Sequence, residues 1–303
     1  MTEGAFKGNP TPVFILDDYH QDADFQKWPA DAILQTVARE MNQSETIFVK
    51  VDEDDDGGDG DHNGYLIRSF TPYKEEPFCG HGMVAAAHLL ARSMGHSLGR
   101  AMRFKTVGGI VVDARLEGYD AKRGFEYGEA RIFRLEIPAR PVNQWYNEDI
   151  ELRKRIADTL VVDVTQILAL GRNELMDLAI ELSHEVDFSA GSMQIDAVAL
   201  MNASPPGTRS QIITSRGDRY GVDFVKRVFA YGSEDQGTGS TYCVLIPYWH
   251  SRLEKLAMSV KQVSDRTAMA SVASNAKKEG YVTLYGSAVK VMDGRMLVPN
   301  STA

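Results

Sequence analysis

A chain of 303 residues is long enough for about two domains at roughly 150 residues each. At 43% hydrophobic and 25% charged it has the usage of an ordinary globular protein, which excludes a disordered chain, a collagen-like repeat and a coiled-coil rod. A formal net charge of −9 argues against nucleic acid or an anionic membrane as principal partner, and two cysteines, Cys79 and Cys243, outside any CxxC pair exclude a disulfide framework and a structural zinc.

In chain order, Thr11 to Asp18 reads as a short strand closed by acids. Pro29 to Asn42 reads as a helix from the spacing of Ile33, Leu34, Val37, Ala38 and Met41. Thr46 to Val51 and Tyr65 to Phe70 read as strands around an acidic loop, DEDDDGGDGDHNG. An alanine-rich helix is predicted from Gly82 to Met94, stopped by Gly95, and Arg103 to Leu116 is predicted to be a hairpin. Further on, strands are expected at Ile132 to Ile137, Ala197 to Met201, Gln211 to Thr214 and Val222 to Ala230, with helices at Glu148 to Leu160 and Val164 to Leu170. The end, Tyr281 to Val298, is expected to form a hairpin turning at Asp293-Gly294. The first ten residues lack the basic start and apolar stretch of a secretory leader, and no run approaches the roughly eighteen apolar residues of a membrane span, so the expectation is a soluble, cytoplasmic protein. Strands outnumber long helices, which favours α+β over alternating βαβ.

One internal repeat stands out. Arg68 and Phe70 lead to Cys79-Gly80-His81-Gly82 and an apolar helix; Arg227 and Phe229 lead to Gln236-Gly237-Thr238-Gly239 and the apolar segment Tyr242 to Trp249. Aligning Cys79 with Gln236 gives an offset of 157 residues, about half the chain. Two similar lobes follow, with a cleft lined by two helix N-termini whose free N–H groups suit a carboxylate. A Gly-x-Gly turn is by itself only a tight turn; its recurrence between a strand and an apolar helix is what directs attention to it. Neither copy fits a P-loop or a dinucleotide fingerprint. His81 in the first turn, Asp235 with Glu234 before the second, and Glu45 are the candidate proton carriers.

These pieces resemble the phenazine biosynthesis PhzF-like family, within the diaminopimelate epimerase fold group. The matching residues are Gly8-Asn9-Pro10, Met41-Asn42-Gln43-Ser44-Glu45-Thr46, Phe70-Thr71-Pro72 leading to Cys79-Gly80-His81-Gly82, Arg216-Gly217, Glu234-Asp235 with Thr238-Gly239-Ser240, Pro247-Tyr248-Trp249, and Gln262-x-Ser264-x-Arg266, in family order. The resemblance implies two pseudo-symmetric lobes, each a mostly antiparallel sheet wrapped around a central helix, at 1–125 and 126–303, with the last strand crossing back. It implies no metal and no organic cofactor, a small carboxylate-bearing substrate as partner, and a homodimer. It also implies Glu45 as the acid-base residue with His81 and Asp235 beside it, and substrate contacts from Ser44, from Cys79, Gly80 and Gly82 in the first turn, and from Gly237, Thr238, Gly239 and Ser240 in the second. Three departures bear on pocket shape: only seven residues precede Gly8, leaving little for the family's first strand; Gln236 replaces a usual proline; and Thr267 and Ala268 replace usual glycines.

The related two-base racemases carry a cysteine in each turn. Here Cys79 fits the first position and Gln236 the second, and an amide neither takes nor gives a proton at neutral pH. The expected chemistry is therefore a suprafacial proton shift on a small unsaturated or cyclic carboxylate in secondary metabolism. Burial is expected to raise the Glu45 carboxyl toward neutrality so that it serves as base and then acid. A racemase using Cys79, or an idle binding protein with this fold, are the alternatives. Asp52, Asp54, Asp56 and Gly57 begin like an EF-hand loop, but Asn63 stands where the bidentate Glu belongs. Arg216-Gly217-Asp218 is set aside as an adhesion tripeptide, since a cytoplasmic protein leaves it no partner.

Overall fold

The computed structural model describes residues 7–16, 28–55, 64–95, 97–125 and 128–297, without side chains over 119–130. Two compact units divide it: one holds 10–135 and the tail from 286, the other 7–9 and 136–285. The division runs through a strand at Leu135/Glu136, rather than at 125/126.

The N-terminal lobe contains β1 (Val13–Ile15), α1 (Asp31–Met41), β2 (Thr46–Val51), β3 (Gly64–Phe70), β4 (Glu75–Glu76), α2 (Gly80–Ser93), β5 (Ala101–Thr106), β6 (Val111–Phe125) and most of β7 (Gly128–Pro138). Its sheet runs β1-β2-β3-β5-β6, with parallel β1/β2 and β3/β5 pairs and antiparallel β2/β3 and β5/β6. Helix α1 is amphipathic as its spacing predicts. Leu34, Val37 and Ala38 pack on Phe48 and Phe70, and the helix ends at Asn42 in the left-handed region, which asparagine tolerates. Helix α2 buries Gly80 through Val84 and Ala86, Ala87, His88, Leu90 and Ala91. A helix buried over more than one face is a central helix, and this one carries the first glycine turn at its start.

The C-terminal lobe contains β8 (Gln144–Trp145), α3 (Ile150–Leu160), β9 (Ile167–Arg172), β10 (Asp177–Leu182), α4 (Ala197–Ala203), β11 (Ser210–Arg216), β12 (Phe224–Ala230), β13 (Ser233–Asp235), α5 (Tyr242–Leu253), β14 (Ala257–Gln262), β15 (Ala268–Ser274) and most of β16 (Tyr281–Ala288). The strand order is β16-β15-β14-β12-β11-β10-β9-β8. Helices α3 and α4 cover a core of Leu152, Ile156, Leu170, Ile180, Ile213 and Phe229. The central helix is α5, whose Trp249 stacks on Phe224 and donates from its indole N–H to Thr214 Oγ1 at 2.9 Å. Antiparallel pairs outnumber parallel ones in both lobes, so the α+β reading with two sheet-and-helix lobes holds.

Four local expectations change. Val164 to Leu170 is not a helix: Asp163 caps a single 3-10 turn over Val164–Gln166, and β9 starts at Ile167 and pairs antiparallel with β10. Ala197 to Met201 is not a strand but the first turns of α4, started by Asp196, whose carboxylate accepts from Val198 N and Ala199 N. The closing hairpin is absent from the described residues: β16 ends at Ala288, and Met296 packs against the α1 cluster. Strands β10, β14 and β15 were not foreseen; β10 alternates Leu178, Ile180 and Leu182 with Asp177, Ala179 and Glu181, a period-two pattern, although all six positions are buried. Residues 1–6, which bear on the family's first strand, and most of the acidic loop, 56–63, lie outside the described residues.

Candidate active site

The Arg-x-Phe repeat becomes a three-dimensional device in each lobe. In the N-terminal lobe Arg68 Nε and Nη2 donate to both oxygens of Glu75 at 2.8 and 2.6 Å, with the guanidinium 5.0 Å from the Phe70 ring. In the C-terminal lobe Arg227 makes the same fork to Glu234, at 2.7 Å on both arms, and lies 5.2 Å from Phe229. Strand register agrees: Phe70 pairs with Glu75 and Ser69 with Glu76, as Phe229 pairs with Glu234 and Val228 with Asp235. The repeat therefore has an offset of 159 residues, not 157, and extending it sets Cys79 against Thr238 rather than Gln236. The second position lacks a thiol in either alignment. Glu234, grouped with Asp235 as a proton carrier from sequence, is committed to Arg227.

The first turn brings Glu45, Cys79 and His81 together. Cys79 caps α2, its Sγ accepting from Gly82 N at 3.3 Å. His81 Nε2 lies 3.2 Å from Glu45 Oε2, with the imidazole buried and the Glu45 side chain 19% exposed. Gly82 has to be glycine, because a Cβ there would lie 2.4 Å from Ile47 Cδ1. Burial opposes charging of His81; against it act Cys79, whose pull operates only as a thiolate, and the Glu45 carboxylate at 3.2 Å, which is the anion that favours the imidazolium while the thiol is protonated. Burial, with Glu45 second, pushes the Cys79 thiol up, so it stays protonated at neutral pH. The donor atoms of the three residues lie within 4.8 Å of one another, a spacing that brings a cation to mind. Yet Cys79 Sγ is 3.6 Å from His81 Nδ1 and 3.8 Å from Nε2. A metal shared through Nε2 and sulfur at roughly 2.0 and 2.3 Å would leave the sulfur about 5 Å from the other ring nitrogen, so in this arrangement the thiol faces the ring and the pair does not share an ion. Ser44 is half-buried next to Glu45.

In the second turn Asp235 is fixed as an acceptor. Asn9 Nδ2 donates to its Oδ1 at 2.5 Å and the Thr238 hydroxyl to its Oδ2. The backbone of the turn is braced by Gln262, which donates to Asp235 O at 2.5 Å and accepts from Thr238 N at 2.9 Å. Lys226, which sequence reasoning missed, donates to the Thr238 carbonyl and to Thr241 Oγ1 at 2.6 Å. A lysine inside a strand that is otherwise apolar apart from Arg227 was the available signal. Gln236 is structural: its Oε1 accepts from Arg266 N at 3.2 Å and its carbonyl from Ser264 Oγ at 3.0 Å. Gly237 and Gly239 are buried, and Ser240 is half-buried at the approach to α5. Cys243 lies inside α5, and burial pushes its thiol up to about 12, so it offers no second thiolate.

Within the described residues no helix is long and apolar enough to cross a membrane. The family model for phenazine biosynthesis-like proteins, PhzC-PhzF, matches residues 1–294. An uncharacterized isomerase of Halalkalibacterium halodurans is 32% identical over 301 residues, 98% of this chain and 96% of the relative. The crystal structure of a putative phenazine biosynthesis PhzC/PhzF protein from Clostridium difficile superposes with a TM-score of 0.71 at 26% identity, covering 97% of this chain and 95% of the other. A probable proline racemase from Agrobacterium radiobacter shares the fold alone, with a TM-score of 0.56 at 11% identity over 88% of this chain and 82% of the other. The chain thus belongs to the phenazine biosynthesis-like PhzC-PhzF family, in which relatives from Halalkalibacterium halodurans and Pseudomonas aeruginosa are named as uncharacterized isomerases.

Proposed function

We propose that the protein is a cofactor-independent isomerase that shifts a proton within a small unsaturated or cyclic carboxylate, with Glu45 as the group that takes and returns it. The contact of Glu45 Oε2 with His81 Nε2 at 3.2 Å carries this reading. An imidazolium there gives the carboxylate a counter-charge in the state that accepts a proton. The Glu45 carboxylate removes an acidic C–H proton, the electron pair moves into the conjugated system, and the Glu45 carboxyl, whose proton exchanges with water in a share of turnovers, protonates another carbon on the same face. The carboxyl group is ionised again at the end and the substrate has changed only its double-bond position. Free N–H groups at the start of α2 and the His81 cation favour the negative charge that develops between the two steps. Asp235, held by Asn9 and Thr238, is assigned the role of a second acid-base or substrate-orienting group. A one-base shift accords with a protonated Cys79 and with the absence of a thiol from the second turn.

The test is deuterium uptake from heavy water into a panel of small cyclic and unsaturated carboxylic acids, followed by proton NMR. Glu45→Gln is expected to lower the exchange rate of the responding acid by about 10²–10⁴-fold, and Cys79→Ser to retain it. Unchanged exchange in Glu45→Gln overturns the assignment. Loss in Cys79→Ser with Glu45→Gln active would identify a racemase instead.

A further inference from the structure

We propose that Lys226 is a positioning residue for the second glycine turn: its buried side chain ties the Thr238 carbonyl to the Thr241 hydroxyl and thereby sets the direction of the Gly239 and Ser240 backbone. The inference rests on the function proposed above only in taking this turn as one that meets substrate.

Lys226 is fully buried, its Nζ lies 3.8 Å from the centroid of the Tyr242 ring, and its hydrogen-bond partners are a carbonyl and a hydroxyl. A buried ammonium is expensive unless its donors are satisfied, so a lysine used merely to fill the core would be a poor choice. The other lobe shows that the fold does not need it. At the 159-residue offset Lys226 falls on Ile67, and Ile67 is paired across its parallel neighbour with Thr106, where Lys226 is paired with Gln262. The C-terminal lobe has replaced an apolar position by a buried Lys-Gln pair, and both members reach the same turn: Lys226 the Thr238 carbonyl, Gln262 the Thr238 N–H and the Asp235 carbonyl. One peptide unit after another is thus held from below, leaving the opposite side of the turn for a ligand.

The hold depends on protonation. Burial lowers Lys226 to about 7, against a smaller upward pull from Asp235 of β13, while Cys243 of α5 faces it as a neutral thiol in this pH range. Tyr242 of α5 also faces it; its register neighbours Thr214 of β11 and Gln262 of β14 are uncharged. Between about 7 and the ordinary 10.5 the unfolded chain binds the proton that the folded chain has lost, so folding stability rises with pH across that window while the hold on the turn weakens.

The experiment is amide NMR and hydrogen exchange on the full chain from pH 6 to 9, with no substrate present. In the wild type the amides of Thr238, Gly239 and Ser240 are expected to shift in one step with a midpoint near 7, and exchange, after correction for its intrinsic pH dependence, to quicken about tenfold above it. In Lys226→Met the step should vanish and these amides should exchange fast at every pH, while amides in the middle of α5 keep their protection. In Lys226→Arg the step should vanish with exchange slow. A wild-type step and wild-type protection surviving in Lys226→Met overturn the proposal. Where a variant fails to fold, the wild type decides: the Lys226 ε-methylene must titrate with the same midpoint as the turn amides, and a different midpoint overturns the proposal. Because no arm uses turnover, failure of the Glu45 assignment and failure of this one are separate results.

Discussion

The two glycine turns start from the same frame and end in different chemistry. Each hangs from an Arg-Glu fork stacked on a phenylalanine, in the same strand register, so the backbone reaches the start of each central helix in the same way. Beyond the fork the N-terminal turn is closed by a buried thiol cap and by Ile47 against Gly82, and the ionisable groups gathered there are Glu45 and His81. The C-terminal turn is closed by polar side chains, Lys226, Gln262, Asn9 and Thr238, around Asp235. The apolar contact of Ile47 beneath the first turn leaves Glu45 and His81 as the ionisable pair gathered there. A polar floor beneath the second spends its hydrogen-bonding capacity on holding backbone. A repeated supersecondary unit has therefore kept its scaffold, gathering an ionisable pair at one turn and backbone-holding polar groups at the other.

The largest effect should come from breaking a fork. Arg227 is 3% exposed, and besides Glu234 it donates to the carbonyls of Phe188 and Met193 at 3.0 and 2.7 Å. Arg227→Met strands a carboxylate and two carbonyls and should cost about 3–5 kcal/mol in chemical denaturation. Arg68→Met should cost less, about 1.5–3 kcal/mol, because Glu75 keeps a third of its side chain in water and Asp31 most of it. Equal costs would show that the two forks are not used as their burial suggests.

Next in size is the floor of each turn. Gly82→Ala forces a methyl group against Ile47 and should destabilise by about 1–3 kcal/mol as overpacking does. Gly237→Ala meets Asn9 and Ala268 at 3.2 and 3.3 Å, contacts that yield with a few tenths of an ångström of movement, so its cost should be the smaller. Thermal denaturation of both variants checks the order, and a larger loss at Gly237 would reverse the view of which turn is tightly packed.

How far this was legible in sequence follows from the kind of signal each feature leaves. The forks were half visible: Arg-x-Phe recurs, but the Glu partners seven residues on look like ordinary surface acids until strand pairing brings them back. Helix α1 and strands β2 and β3 were read from periodicity; β10 alternates as well but carries two acids in six residues that turn out to be buried, and α4, started by Asp196 within an apolar stretch, is too short to show a helical period. His81 and Asp235 were found from their place at the repeated glycine turns and their roles, with that of Glu45, from family motifs; the contact that joins Glu45 to His81 links segments distant in sequence and left no local signal. Lys226 was hidden by its own strand, where a lysine beside Arg227 reads as a solvated edge.

The smallest effect concerns a strained backbone position beside the second turn. Thr267 has φ of 44°, a left-handed conformation that glycine adopts freely and a β-branched residue resists. It is kept there by its neighbours: Thr267 N donates to Ser264 O at 3.1 Å, and Thr267 O accepts from Gly8 N at 2.9 Å, so the strain is held by the strand-end hydrogen bonds that also anchor Gly8 next to Asn9. Thr267→Gly removes the clash of the branched side chain but loosens the unfolded chain, and the balance should favour the folded state by about 0.5–1 kcal/mol. For comparison, Asn42 at the end of α1 in the other lobe has a similar φ of 46°, where asparagine is already tolerated and Asn42→Gly should gain nothing measurable. Urea denaturation of the pair distinguishes strain from mere geometry. If Thr267→Gly is no more stable than the parent, the threonine makes up for its backbone through packing against the second turn, and the C-terminal lobe would then be tuned at Thr267 as well as at Lys226.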